Sequence, residues 1–266
     1  MDCDKITSSQ NPKIKELLSL RERSSRDESG LTLIDGLREV LCALEANVTL
    51  KELYFCKELL HRHNADHVFK KLHTLKVKCV EIPKAIYLKL AYGDRKDGIL
   101  AVCKPGTFSF KDFVSTENSF FLVVEGVEKP GNLGAIFRVA DAVGINGIII
   151  CEDKTDLFNP NVIRASIGTV FCVKAVTATR DQAYNFLQTN GIKIYASSPF
   201  AKTIYSQVSL SERLAIVIGS EDKGVSDFWI ERACANLKIP MRGMADSLNV
   251  ASSAAILLYE VLRQRK

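Results

Sequence analysis

The sequence predicts an α/β protein in two parts. A smaller α/β domain covers residues 1–104, a linker covers 105–118, and a doubly wound, parallel-sheet α/β domain covers 119–266. Three observations predict it. Strand-like and helix-like apolar patterns alternate along both parts, as in layered β/α folds. Phe120-Phe121-Leu122-Val123-Val124 is an unbroken apolar run, expected of a parallel strand covered on both faces. The chain closes on Val250, Ala251, Ala254, Ala255, Leu258, Val261 and Leu262, spaced along one face of a helix.

Taken in order, residues 14–23 read as a short amphipathic helix and 23–30 as a polar loop. A strand is expected at 31–34. The helix at 36–46 carries Leu37, Val40, Leu41 and Leu44 on one face. Strand 53–56, helix 65–75 and strand 77–82 follow. Pro83, with its φ preset for a helix start, opens a helix to Leu90. Strand 98–103 completes the first part. Residues 104–119 contain Pro105 and Gly106 and hold no sustained period, so they read as the linker. In the second part, strands are expected at 120–124, 147–151, 170–173, 192–196, 214–218 and 237–239. Helices are expected at 133–143, 180–189, 227–235 and 250–265, giving the alternation of a doubly wound sheet.

At 266 residues, 47% hydrophobic and 25% charged, the chain has room for one large domain or two ordinary ones. No apolar run approaches the roughly 18 to 20 residues of a membrane span, and the polar start Met1-Asp2-Cys3-Asp4-Lys5 lacks a signal-peptide core. The cysteines at 3, 42, 56, 79, 103, 151, 172 and 234 are scattered, with no Cys-x-x-Cys pair. They read as free thiols of a reducing, cytoplasmic compartment, against a disulfide framework or a zinc site. The net charge of +5 is mildly basic, and residues 51–100 concentrate it, with 11 Lys+Arg against 6 Asp+Glu. That excess suits an RNA-facing patch or a solvated face.

Gly219-Ser220-Glu221-Asp222-Lys223-Gly224-Val225-Ser226 nearly spells a P-loop. The lysine required after the second glycine is Val225, so bound phosphates would lose their cation. No Gly-x-Gly-x-x-Gly follows a strand, which disfavours a dinucleotide site. The four histidines are His61, His63, His67 and His73. His63 and His67 stand at i, i+4, a spacing open to metal, but no motif carboxylate or cysteine pair supports it, so no metal is expected and the reading is a polar helix face, open to RNA. The second part holds no histidine, so a reaction there needs another proton acceptor.

Three stretches carry the chemistry. The first is Glu125-Gly126-Val127-Glu128-Lys129-Pro130-Gly131-Asn132-Leu133-Gly134-Ala135-Ile136-Phe137-Arg138. The second is Ile218-Gly219-Ser220-Glu221-Asp222-Lys223-Gly224-Val225-Ser226. The third runs Ile239-Pro240-Met241-Arg242-Gly243-Met244-Ala245-Asp246-Ser247-Leu248-Asn249-Val250. In the third, Pro240 stops a strand, Gly243 permits a bend, and Asp246, Ser247 and Asn249 crowd a helix start, where their oxygens can take orphan N–H groups. In this order and at these spacings the three resemble the motifs of the SpoU/TrmH family of the SPOUT superfamily, RNA ribose 2′-O-methyltransferases that use S-adenosyl-L-methionine. The resemblance is close over about residues 119–266. It is looser before them, resting on Leu33-Ile34-Asp35-Gly36-Leu37-Arg38-Glu39-Val40.

The resemblance implies a deep C-terminal trefoil knot, a homodimer, and an N-terminal RNA-binding domain resembling a ribosomal protein, with ribosomal or transfer RNA as substrate. It implies a donor site lined by Gly219, Ile239 and Leu248, largely through their backbones. Ser197 and Ser198, in a loop after another expected strand, join that pocket, and glycine at 219 permits close approach. Arg138 is implied to meet the RNA phosphate and the target 2′-hydroxyl at the dimer interface, acting from the other subunit. A guanidinium stays protonated, so it would orient the hydroxyl while the proton leaves to phosphate, water or a carboxylate. Asn132 would hold the ribose or fix its loop, Glu221 would orient Arg138 or accept charge, and Ser247 and Asn249 would shape loop and substrate. Arg164, in Arg164-Ala165-Ser166-Ile167-Gly168, is expected on the RNA side. Asp222 departs from the glycine common in the family, placing a charge in the loop. The rival reading is an RNA-binding module that keeps the fold without catalysis. The joint presence of Asn132, Arg138, Glu221, Ser247 and Asn249 argues for the enzyme.

Overall fold

A computed structural model describes residues 4–60, 62–92 and 97–265. Its elements run β1 (Asp4–Lys5), α1 (Pro12–Ser19), α2 (Arg23–Ser29), β2 (Thr32–Asp35), α3 (Leu37–Glu45), β3 (Thr49–Phe55), α4 (Arg62–Thr74), β4 (Lys78–Glu81), α5 (Lys84–Leu90), β5 (Ile99–Lys104), β6 (Phe120–Glu125), α6 (Pro130–Val143), β7 (Gly147–Cys151), α7 (Pro160–Ala165), β8 (Ala175–Ala178), α8 (Arg180–Thr189), β9 (Lys193–Ser197), β10 (Thr203–Ile204), β11 (Leu214–Ile218), α9 (Asp227–Arg232), β12 (Ala235–Lys238) and α10 (Val250–Gln264). No helix among the described residues is long and apolar enough to cross a membrane. His61 lies outside the described residues, as do the side chains of His63 and His67.

The chain divides into two units, Met1–Gly106 with Asp156–Cys172, and Thr107–Thr155 with Val173–Lys266. In the first, the described strands order β1-β4-β3-β5-β2, with β5 antiparallel to both β3 and β2. Ile14 and Leu17 of α1, Ile86 and Leu90 of α5, and Tyr54, Val80 and Leu100 of the sheet make one buried cluster. Segment 156–172 belongs to this unit because its groups are answered there. Asp156 pairs with the buried Arg26 at 2.7 Å, and Thr32 Oγ1 donates to the Phe158 carbonyl at 2.7 Å.

Arg26 also explains why residues 23–30 form helix α2 where the sequence reads as a loop. Its Nη1 donates to the carbonyls of Leu20 and Arg21, both at 2.7 Å, and Gly30 closes the helix at φ +64°. The stabilising partner lies 130 residues away, where no local pattern shows it. The strand expected at 170–173 is instead a 3-10 turn, Thr169–Phe171, and the strand comes later as β8. Ile167 and Gly168, at φ +57° and +85°, reverse the chain here. Val170 and Phe171 are buried in the first unit, Phe171 stacked on Phe158.

The second unit holds a seven-stranded sheet among the described residues, ordered β10-β12-β9-β11-β6-β7-β8 and parallel throughout. Alternation along the strands sends residues to opposite faces. Phe121, Val123, Ile149, Ala215 and Val217 share a buried cluster with Ala183 and Leu187 of α8 and Trp229 of α9. Leu122, Val124, Ile148, Ile216 and Ile218, also buried, face the other way, where α10 packs on β11 and α6. Each such side chain contributes about 1.5 to 3 kcal/mol when taken from water. Covering both faces makes the unit the doubly wound domain expected. The stretch read as a linker is largely structural. Phe113 is buried against Phe121, and Phe110 stacks on Phe186 at 4.7 Å. Two aromatics spaced three apart on a 3-10 turn give no period long enough to read in sequence.

Candidate active site

β6, β11, β9 and β12 lie side by side and parallel, so the loops leaving their carboxyl ends emerge together. These loops contain the three motifs and the 198–202 turn. In open parallel sheets a ligand crevice forms at this end, where the strand order changes direction. Here β6, β7 and β8 run to one edge, and the chain then returns to build β9, β11 and β12 on the other side of β6.

Asn132, Glu221 and Asn249, one from each motif, meet. Asn249 Nδ2 donates to Asn132 Oδ1 at 3.1 Å and to Glu221 Oε1 at 3.1 Å, and Asn132 Nδ2 donates to the same Glu221 oxygen. Local structure puts each in place. Pro130 at the first turn starts α6, so Asn132 falls in the opening turn of that helix. Asn249 is the N-cap of α10, its Oδ1 taking the Ala251 N–H at 3.0 Å. Glu221 sits on a tight turn closed by the Ser220–Gly224 bridge, with Gly224 N–H donating to the Ser220 carbonyl at 2.9 Å.

Gly219 is required by that turn itself. A Cβ there would stand 1.9 Å from the Gly224 carbonyl oxygen. The close approach that glycine permits within the chain is to the loop's own backbone. Within this chain Glu221 and Arg138 form no pair. Glu221 takes the two amides and Lys129, whose Nζ lies 3.2 Å away. Arg138 is exposed and has no hydrogen-bond or ion-pair partner among the described residues. Six residues along a helix move it about 9 Å down the axis from Asn132 and roughly 120° around.

Ser247 is exposed and joins none of this network. Ser197 ends β9 beside Leu237, and Ser198 donates its N–H to the Leu237 carbonyl at 2.9 Å while its Oγ takes the Phe200 N–H at 3.2 Å. Ile239 is half-buried and Leu248 is exposed. Among the described residues, the backbone groups of 240–248 have no backbone hydrogen-bond partners. A segment with this many open N–H and C=O groups fits a ligand read by main chain, such as an adenosine. Arg164 falls in α7 of the first unit, near the Asp35 carboxylate, while Arg138 belongs to the second.

Two residues given no role from the sequence hold the site. Lys129 bridges to Glu221 as above. Glu125 is buried at the end of β6 and accepts Ser226 N–H and Oγ–H, each at 2.8 Å, and the Arg180 guanidinium. It thereby fixes the far end of the loop carrying Glu221. The available signal was an acid closing an otherwise apolar strand, since buried carboxylates are rare unless paired.

Residues 119–259 match the SpoU rRNA Methylase family, and residues 11–101 match an MRM3-like substrate binding domain. The chain is 28% identical over 256 residues to the 23S rRNA (guanosine(2553)-2'-O)-methyltransferase RlmP of Bacillus subtilis, covering 96% of this chain and 98% of that one. A crystal structure of an RNA 2'-O ribose methyltransferase superposes with a TM-score of 0.89 at 36% identity, over 98% of this chain and 99% of the other. The AdoMet-bound rRNA methyltransferase from Sinorhizobium meliloti does so with a TM-score of 0.89 at 26% identity, over 98% of each. The chain belongs to the SpoU rRNA methylase family.

Proposed function

We propose that this protein methylates a ribose 2′-hydroxyl of RNA, with ribosomal RNA as substrate ahead of transfer RNA and S-adenosyl-L-methionine as donor. The observation that carries this is the meeting of Asn132, Glu221 and Asn249 at the carboxyl end of the sheet, beside the open backbone of 240–248. Relatives along the whole chain bear rRNA methyltransferase names, and one related structure holds AdoMet.

The donor supplies an electrophilic methyl group on a sulfonium. The residues proposed to hold it are Ser197, Ser198, Gly219, Ile239 and Leu248, most through backbone groups. The chain's own task is then positional. Asn132 and Asn249 offer amides, and Glu221 a carboxylate, to the ribose. Arg138 holds a phosphate and the attacking hydroxyl, whose proton passes to phosphate, water or a carboxylate. Arg138 stands too far around α6 to join the Asn132 cluster of its own chain, which supports a homodimer in which it serves the partner's site. The exposed Met244 and Tyr259, on the loop and helix that complete the site, support a covering second copy. The first unit is proposed to capture RNA, Arg164 included, in the cytoplasm.

Calorimetry with S-adenosyl-L-methionine and transfer of labelled methyl to ribosomal RNA test the reading. A protein that fails to bind the donor at millimolar concentration would sink it, leaving the RNA-binding module. Mapping 2′-O-methyl sites in RNA from a deletion strain would identify the nucleotide.

A further inference from the structure

Two thiols far apart in sequence meet in the first unit. Cys42 lies on α3, and Cys172 ends the 3-10 turn Thr169–Phe171. Cys42 Sγ donates to the Ile167 carbonyl at 3.3 Å, and Cys172 Sγ donates to the Cys42 carbonyl at 3.8 Å. The fold holds these segments at fixed spacing. Ile167 and Gly168 turn the chain through positive φ onto α3, where a Cβ at 168 would lie 2.7 Å from Cys42 Cβ and 2.9 Å from Glu39 Cα. The Cys42 thiol is pushed well above its usual range, first by a hydrogen bond with Cys172 itself and then by burial. Cys172 is exposed and Cys42 half-exposed, whereas Cys56, Cys79, Cys103 and Cys151 are buried.

We propose that Cys42 and Cys172 are a modification site, closing to an intramolecular disulfide when a small-molecule disulfide such as oxidised glutathione is present. The Cys172 thiolate attacks one glutathione sulfur and expels a glutathione thiolate, giving a mixed disulfide. The Cys42 thiolate then attacks Cys172 Sγ and expels the second glutathione thiolate. The two protein thiols lose two protons and two electrons, and oxidised glutathione becomes two reduced thiols. The bond ties α3 to the residue directly before Val173, where the chain passes into the second unit. Segment 156–172, otherwise held by non-covalent contacts, becomes cross-linked to the first unit.

The test treats the full chain with oxidised glutathione, blocks remaining thiols with N-ethylmaleimide, and sequences the digest by mass spectrometry. Expected is a linked Cys42–Cys172 peptide pair, reversed by dithiothreitol, while exposed Cys234 keeps its glutathione as an internal control. Cys42→Ser should trap the mixed disulfide on Cys172. A wild-type chain that leaves Cys172 glutathionylated with Cys42 alkylated would overturn the proposal. So would a Cys172 that never reacts while Cys234 does, or a bond only between chains.

Discussion

Asn249 caps α10 with one end of its amide and holds Asn132 with the other. Its Oδ1 takes the Ala251 N–H at 3.0 Å, and its Nδ2 reaches Asn132 Oδ1 at 3.1 Å. One side chain therefore fixes the start of the last helix and the spacing of two motifs 117 residues apart. The two duties separate by mutation. Asn249→Ala should cost about 1 kcal/mol in thermal unfolding through the lost cap, with methyl transfer falling on the order of 100-fold. Asn249→Asp keeps the cap acceptor but loses the donor and sets a second carboxylate beside Glu221. It should retain most of the stability and lose the activity. Full turnover by the aspartate variant would show that the amide's donor end does nothing in the reaction.

Gly219 and Gly224 close the same turn for different reasons, and alanine should tell them apart. At 219 a Cβ meets backbone at 1.9 Å, which only loop rearrangement can relieve. At 224 nothing lies within 4 Å, and the cost is the φ of +67° alone, about 1 to 2 kcal/mol. Gly219→Ala should therefore weaken donor binding by at least tenfold in calorimetry, whereas Gly224→Ala should change it several-fold less. Equal effects would mean that the turn is not what presents the donor site.

What was legible in the sequence tracks where the information is stored. The buried strands at 147–151 and 214–218 and the helix at 180–189 read correctly to the residue because each is dictated by its own apolar period. The three motifs announced their importance, and the convergence of Asn132, Glu221 and Asn249 follows from their all lying at strand ends or helix starts of one parallel sheet. Helix α2, the turn at 169–171 and the docking of Phe113 were not legible. Each depends on a partner distant in sequence, such as Asp156 for Arg26 or Gly147 for Phe113. Within the site, the ion pair of Lys129 with Glu221 was hidden for the same reason.

Phe113 gives the boundary a measurable consequence. Its ring fills the space over Gly147, where a Cβ would lie 2.5 Å from it. Phe113→Ala should cost about 3 to 5 kcal/mol, as expected for an emptied aromatic site. A fragment beginning at Thr107 should accordingly outlast one beginning at Ser119 in urea. Equal midpoints for the two would return 107–118 to the role of a linker.

Asp35 makes the first unit sensitive to acid in an unusual direction. Burial pushes its carboxyl up to about 6 from 3.8, against the Tyr92 N–H at 2.7 Å and the Tyr87 hydroxyl at 3.2 Å, which both favour the charged form. The nearby Arg164 lowers it and Asp97 raises it. Between about pH 4 and 6 the folded chain keeps a proton that the unfolded chain has shed, so this group's contribution to stability falls as pH rises through that window. The loss is on the order of 3 kcal/mol and is complete above it. Asp35→Asn, neutral throughout, should remove that slope in urea unfolding series. A wild-type slope in the variant would assign the effect to another group.

Arg138 carries the prediction that bears most directly on the reaction. It is exposed, is unpaired among the described residues, and sits about 120° around α6 from Asn132. Arg138→Ala should leave folding and donor affinity close to wild type while methyl transfer drops on the order of 100-fold or more, since only a contact to RNA is lost. Arg138→Lys keeps the charge without the planar fork. Little rescue would mean that two-pronged contact matters, and strong rescue that charge near a phosphate suffices. Mixing Arg138→Ala with Asn132→Ala tests whether the arginine crosses between subunits. If it does, each mixed dimer rebuilds one site from an intact Asn132 on one chain and an intact Arg138 on the other, and activity returns. If it acts within its own chain, every site in the mixed dimer keeps one defect and activity stays lost. Near wild-type turnover by pure Arg138→Ala would end its assignment to the reaction altogether.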